Sequence, residues 1–249
     1  MNSSKVNVIY SRNSLCFERT DPIIGLTVRK AIAGPERELI ERFLLRITNS
    51  ADKIEKKLAI FQQPSIQGGF PDVVITIYDP ARFDNWDYQR SLLTIRDIKI
   101  LHHMHTVGEI TSASLVTQLG FDVRKTSNAL EALFRAGLVT EFGGIWKATS
   151  LAEMFGIERL IAVEAKTIAN QSVVRQAVNN RWFASESYVL VPNLDRNSRL
   201  LSKSESLGIG IYTCSETRVE RLLDSKPNPL PGSYASWMFN EWIGRSLVQ

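Results

Sequence analysis

The sequence predicts an α/β fold, a mixed sheet flanked by helices, and three observations predict it. Short β-branched apolar runs at 57–62, 73–77, 159–167, 187–192 and 208–213 have strand character. Segments of helical period at 35–47, 168–184 and 196–207 lie between them. Their order (helix, strands, helix, strand, helix, strand) is that of a layered α/β core.

Residues 6–10 are a strand-like start, and 16–27 have mixed character with Asp21-Pro22 as a turn signal. The first helix opens at Gly34-Pro35 with acids in its first turn, and Leu39, Ile40, Phe43, Leu44 and Ile47 form its apolar stripe. Glu38 and Glu41, three apart, are neighbours on one face of it. Gln67-Gly68-Gly69 is a turn that delivers the chain to Asp72, and Asp79-Pro80 ends the strand that follows. Residues 81–90, with Trp86 and Tyr88 as exposed-looking aromatics, form a connector.

A different pattern fills 90–150. Helices are predicted at 92–105, at 109–120 with a glycine stop, and from an Asp122 cap to Ala136, closed by Gly137. A hairpin over 138–149 turns on Gly143-Gly144. The third helix is expected to bury Leu130, Leu133 and Phe134 and to leave Arg124, Lys125, Ser127, Asn128 and Glu131 on its open side. Arginine and asparagine suit bidentate contacts to bases, lysine and serine suit phosphate, and Lys147 on the hairpin offers a further phosphate contact. The chain therefore divides into a core of 1–89 and 151–249 with an insert at 90–150. The terminal helix, 234–247 with Trp237, Phe239 and Trp242, is expected to dock on the parent core.

Composition excludes more than it selects. A net charge of +4 is spread without a basic block, so it permits nucleic-acid binding without arguing for it. Cys16 and Cys214 are too few for a disulfide framework or a cysteine zinc site, which suggests a reducing, cytoplasmic setting. No apolar run is long enough to span a bilayer and no signal-peptide core begins the chain. His102, His103 and His105 share one helix and are expected to be structural or surface residues. No phosphate-binding loop, dinucleotide fingerprint or nucleophile elbow is present, so no nucleotide cofactor is expected.

The chemistry is concentrated in two strand-like runs that carry ionisable residues. Glu164 and Lys166, two apart, share a strand face. If the run after Asp72 pairs with theirs, two carboxylates and an ammonium converge on a site suited to a hard divalent cation and a hydrolytic water. Pro71-Asp72 followed by Glu164-Ala165-Lys166 resembles the signature of the PD-(D/E)xK, or restriction-endonuclease-like, nuclease superfamily. The spacing departs from it: the acids lie 92 positions apart, 72 to 164, where the superfamily usually has a short hairpin. The insert explains that gap. Three helices and a hairpin, with Ser127-Asn128-Ala129-Leu130-Glu131-Ala132-Leu133-Phe134-Arg135-Ala136-Gly137-Leu138-Val139, resemble a winged helix-turn-helix module.

Together the two resemblances imply a metal-dependent DNA endonuclease with a restriction-endonuclease-like core and an inserted winged helix. Asp72 and Glu164 would bind Mg²⁺, with Mn²⁺ able to substitute, joined by Glu38 or Glu41 of the opening helix. Lys166 would orient or activate the attacking water. Superfamily members often carry a glutamine in the helix after the Glu-x-Lys strand, and Gln176 is the first candidate, Gln171 the second. Arg175 and Arg181 are further phosphate candidates, with solvated charges as the simpler reading. The implied partner is double-stranded DNA, met by a homodimer or a larger DNA-processing complex. The competing reading is a non-catalytic DNA-binding regulator, or an interaction subunit of a restriction, recombination or transposition complex built on a nuclease-like core.

Overall fold

The computed structural model describes residues 14–51 and 57–248; the strand expected at 6–10 lies outside them. In chain order the elements are β1 (Ser14–Phe17), α1 (Pro35–Ala51), β2 (Lys57–Gln62), β3 (Val73–Tyr78), a 3-10 turn (Pro80–Phe83), α2 (Tyr88–Ser91) and α3 (Ile95–Val107). Next come β4 (Ile110–Thr111), α4 (Ser112–Leu119), α5 (Val123–Arg135), β5 (Val139–Phe142), β6 (Ile145–Ala148) and α6 (Leu151–Met154). The chain continues through β7 (Ile157–Ala165), α7 (Gln171–Asn180), β8 (Glu186–Val191), α8 (Arg199–Ser206), β9 (Gly210–Cys214), β10 (Val219–Leu223) and α9 (Tyr234–Leu247). The fold is mixed α/β and divides into two units, 1–79 with 157–232 and 80–156 with 233–249.

The first unit is a seven-stranded mixed sheet in the order β1-β2-β3-β7-β8-β9-β10. β2, β3 and β7 pair antiparallel in turn, and β7, β8 and β9 run parallel. Strand alternation divides the core in two. Val73, Ile75, Ile161, Val163, Ala165 and Leu190 pack with Leu39, Ile40, Phe43 and Leu44 of α1. Val189, Val191, Ile209 and Ile211 pack with Val173, Val174, Ala177 and Leu200 of α7 and α8. Central strands buried on both faces must be apolar nearly throughout, which is why these runs were legible. The edge strands were less so. β1 lies in a stretch of mixed character, and β10 carries Glu220 and Arg221 as an edge strand can.

The second unit holds α3, α4 and α5 with a three-stranded antiparallel sheet in the order β4-β6-β5. Asp122 caps α5 through the Lys125 amide at 3.1 Å, and Gly120 and Gly137 end α4 and α5 in left-handed backbone. Gly143 and Gly144, both at positive φ, make the hairpin turn. Phe134, expected to be buried, is 53% exposed with its ring edge-on to Trp146; Thr126, Ala129, Leu130 and Leu133 fill the buried face of α5 instead. No helix among the described residues is long and apolar enough to cross a membrane.

The terminal helix α9 belongs to this second unit, not to the sheet unit where the sequence placed it. Its polar residues explain why. Glu241, fully buried, pairs with Arg90 at 2.8 Å, and Arg90 also donates to the Met154 carbonyl. Asn240 accepts from the Gly156 amide at 2.8 Å, and Arg245 donates to the Leu93 carbonyl at 2.7 Å. Buried polar groups need partners, and these lie in 90–156. Trp86, expected to be exposed, is buried, with the Arg90 guanidinium 3.8 Å from its ring centroid. Gly244 admits that ring, since a Cβ there would lie 2.4 Å from it.

Replacing Glu241 with alanine leaves the buried Arg90 cation without its counter-ion. Urea unfolding of E241A should show a loss of about 3–5 kcal/mol. A loss under about 1 kcal/mol would show that the pair does not hold α9 in its unit.

Candidate active site

The β3–β7 register builds the site. Val73 pairs with Val163, and one further step of the same antiparallel ladder sets Asp72 opposite Glu164. The Asp72 carboxylate accepts a hydrogen bond from the Ala165 amide at 2.9 Å, which fixes it across the strand ends. Glu164 is only 6% exposed, and its Oε1 accepts from Asn180 Nδ2 at 2.8 Å. Lys166, just past the end of β7, is anchored by its amide to the Leu190 carbonyl at 3.0 Å. Its ammonium lies 2.9 Å from the carboxylate of Glu36 in the first turn of α1.

Electrostatics follow from that crowding. Burial pushes the Asp72 carboxyl above its usual range, opposed by the Ala165 amide and by the positive charge of Lys166. Burial likewise pushes Glu164 up, to about 8, and the charge of Asp72 adds to the effect. Two acids held this close in a low-dielectric site keep a proton at neutral pH unless another cation takes its place.

The structure thus brings together Asp72, Glu164 and Lys166, separated by up to 94 positions in the chain, 72 to 166. It places the helix acids differently from the sequence reading. Glu38 is exposed and Glu41 pairs with Arg37 at 2.7 Å, while Glu36 is the acid of α1 that meets Lys166. Gln176 is exposed on α7 and Gln171 accepts from Lys203 at 3.4 Å; the amide that reaches the acids is Asn180, one helical turn beyond Gln176. Arg181, offered as a phosphate contact, is committed to the carbonyls of Leu207 and Gly208 and to Asn228. Arg175 is exposed. The signals for the two missed residues were present: Glu36 sits in the first helical turn beside Pro35, and Asn180 continues the buried row of Val173 and Ala177.

In the second unit Arg124, Lys125, Ser127 and Asn128 are all exposed on α5. Asn128 also lines a small cleft with Glu131, Gln89 and Leu92, so its flank of α5 faces α2. Lys147 is exposed and lies 3.0 Å from Glu109. Among the described residues no group of three or more His, Cys, Asp or Glu is gathered as a metal site. His103 bonds Gln118 at 2.6 Å on the surface of the second unit, and burial lowers the His102 pKa. Comparison with family models, with curated proteins and with solved structures finds no match to this chain.

Because the folded Glu164 binds its proton more tightly than the unfolded chain, its stabilising share is complete below the ordinary carboxylate range. That share is lost as pH climbs through the folded value of about 8. Urea midpoints in EDTA should therefore fall for the native chain between about pH 5 and about pH 9, and fall much less for Glu164→Gln. Superimposable pH profiles would mean that Glu164 titrates as an ordinary surface acid.

Proposed function

We propose that this protein is a metal-dependent DNA endonuclease built on a restriction-endonuclease-like core, with a winged helix inserted between two core strands. The observation that carries the reading is the meeting of Asp72, Glu164 and Lys166 at the joined ends of β3 and β7. The surrounding order supports it: α1, then antiparallel β2, β3 and β7, then α7, then β8 parallel to β7. In the superfamily this chain resembles, a Pro-Asp and a Glu-x-Lys are carried on two neighbouring strands.

The donor set fits a divalent cation. Mg²⁺ keeps several waters and takes one or two carboxylates together with substrate phosphate, so a pair of acids is enough. Asp72 and Glu164 would hold Mg²⁺ or Mn²⁺, whose charge would offset the burial that raises both carboxyls and the Asp72 charge that adds to it at Glu164. When bound, such an ion supplies positive charge at the phosphodiester and makes nearby water more acidic. Lys166, steadied by Glu36, adds an ammonium beside Asp72 that would serve the attacking water or the negative charge developing on the phosphoryl oxygens. Asn180 holds the Glu164 carboxylate in orientation, as outer partners of metal ligands do.

The winged-helix reading is supported by the sequence of α3, β4, α4, α5, β5 and β6, with β4 closing on β6. On that reading α5 presents Arg124, Lys125, Ser127 and Asn128 to duplex DNA, with Lys147 on the hairpin beside phosphate. Cutting both strands calls for a homodimer, since one site serves one strand.

Supercoiled plasmid incubated with Mg²⁺ or Mn²⁺ should be nicked by the native chain. Asp72→Ala should abolish nicking and Lys166→Ala should slow it by about 10²–10³-fold, with DNA affinity nearly unchanged. Equal nicking by all three proteins refutes the assignment. In a separate gel-shift series, Arg124→Ala with Lys125→Ala should weaken duplex binding and reduce its salt slope by about 1 for each phosphate no longer neutralised. An unaltered slope would remove α5 from the DNA interface.

A further inference from the structure

The row of the sheet that carries the acids continues across two more segments of the chain. β2 pairs with β3 so that Gln62 meets Val73, and one step further the Gln63 amide donates to the Asp72 carbonyl at 3.0 Å. On the far side of β2, Val28 bridges Pro64, and the Arg29 amide donates to the Gln63 carbonyl at 3.0 Å. Arg29, Gln63, Asp72 and Glu164 are therefore successive positions of one row. Two strand spacings put the Arg29 backbone roughly 10 Å from that of Asp72.

Arg29 is exposed, yet it is tied down along its whole length. Its segment is fixed by the Ser65 amide on the Thr27 carbonyl at 2.7 Å and by the fully buried Ile24 and Leu26. Its Nε donates to Gln63 Oε1 at 3.2 Å, and its guanidinium lies over the Phe70 ring, 5.3 Å from the centroid. Gln63 makes its contacts from left-handed backbone, φ 46°, a conformation that residues with a side chain disfavour. Among the described residues no carboxylate pairs with Arg29, and neither of its Nη groups has a protein acceptor. A guanidinium laid on a ring in this way keeps its outer N–H edge open, and that edge matches two oxygens of a phosphate.

We propose that Arg29 is a phosphate-binding residue of the site, its Nη edge taking a backbone phosphate of the DNA strand that Asp72 and Glu164 address. The inference rests on the nuclease reading and adds a direction to it: the substrate strand runs along the row, from Glu164 across Asp72 toward β2. Every nucleotide brings a negative charge past two acids that repel it, so a strand crossing them needs cations on both sides. Lys166 is the cation past the end of β7, and Arg29 is the cation of the row on the β2 side. Being ordered in advance by Gln63 and Phe70, the Arg29 side chain has less rotamer freedom to lose when it takes the anion.

The test is binding of the full chain to a fluorescein-labelled DNA duplex over a range of KCl concentrations, without divalent cation. Arg29→Met keeps an apolar stem over Phe70 and removes the charge. It should weaken binding about tenfold at low salt and reduce the slope of log affinity against log salt by about 0.9. Arg29→Lys keeps a charge but neither the fork nor the Nε bond to Gln63, so it should lose affinity and hold the native slope. Native affinity and slope in Arg29→Met overturn the proposal. A slope in Arg29→Lys that falls as far as in Arg29→Met overturns it too, because lost structure and not lost charge would then be the cause. Binding needs no cleavage, so the two readings fail separately. A slope that depends on Arg29 in a chain that never nicks plasmid sinks the nuclease reading alone, whereas nicking by a chain whose slope ignores Arg29 sinks the Arg29 assignment alone.

Discussion

Two carboxyl groups facing each other at the joined ends of β3 and β7 set the terms for the first unit. Left to themselves, buried like charges would drive the strand ends apart or draw in water. Here the register leaves them no such freedom. Six paired positions of β3 on β7 fix the backbone, the Ala165 amide holds Asp72, and Asn180 holds Glu164. Burial raises the pKa of both acids, and at Glu164 the charge of Asp72 adds to it. A site in that condition lowers the stability of the fold.

The long gap between the two halves of the site has a simple physical reading. The chain leaves β3 after Tyr78 and returns at Ile157, the opposite end of the paired strands from Asp72 and Glu164. Loop-closure entropy grows only logarithmically with length, so exchanging a tight turn for a long excursion disturbs the pairing little. The irregularity in register falls at Ile77 and Tyr78, next to the point of departure, and the ladder nearer the acids is unbroken. The excursion also has a core of its own, closed by α9 through Arg90, Glu241 and Asn240, so it need not draw stability from the sheet.

What could be read in advance depended on whether the signal was local. The central strands were legible because burial on both faces demands apolar runs, and Asp72, Glu164 and Lys166 stood out as ionisable groups within or beside such runs. The α5 cap at Asp122 and the Gly143-Gly144 turn were legible because backbone chemistry selects those residues. The helix acid was different in kind: helical spacing orders Glu38, Glu41 and the unconsidered Glu36 around an axis but does not say which turn of α1 meets the strand ends. The same limit separated Gln176 from Asn180, one turn apart. The terminal helix lies in the second unit and not with the sheet as its sequence suggests: its aromatics announce burial without naming a partner. Its buried Asn240, Glu241 and Arg245 name one only when the chain is folded. Trp86 hid its burial for a related reason, since its cover is the guanidinium of Arg90, a residue that sequence reading counts as a surface charge.

The partner chosen by Lys166 bears on how such a site works. Three acids and one ammonium meet here, and the ammonium could have sat on Asp72 or Glu164 and quenched the repulsion between them. Instead Glu36 takes it at 2.9 Å, from a separate element. An ammonium lodged between the two acids would compete with any divalent cation for the same oxygens and would have to be displaced on each binding event. Held to one side by Glu36, it still lowers the pKa of both carboxyls through space but leaves their oxygens facing each other. On the proposed reading the helix acid therefore need not be a metal ligand at all. On that reading its work would be to keep the lysine out of the cation's place and within reach of the phosphodiester, so that Glu36 would be a positioning residue whose charge matters through Lys166.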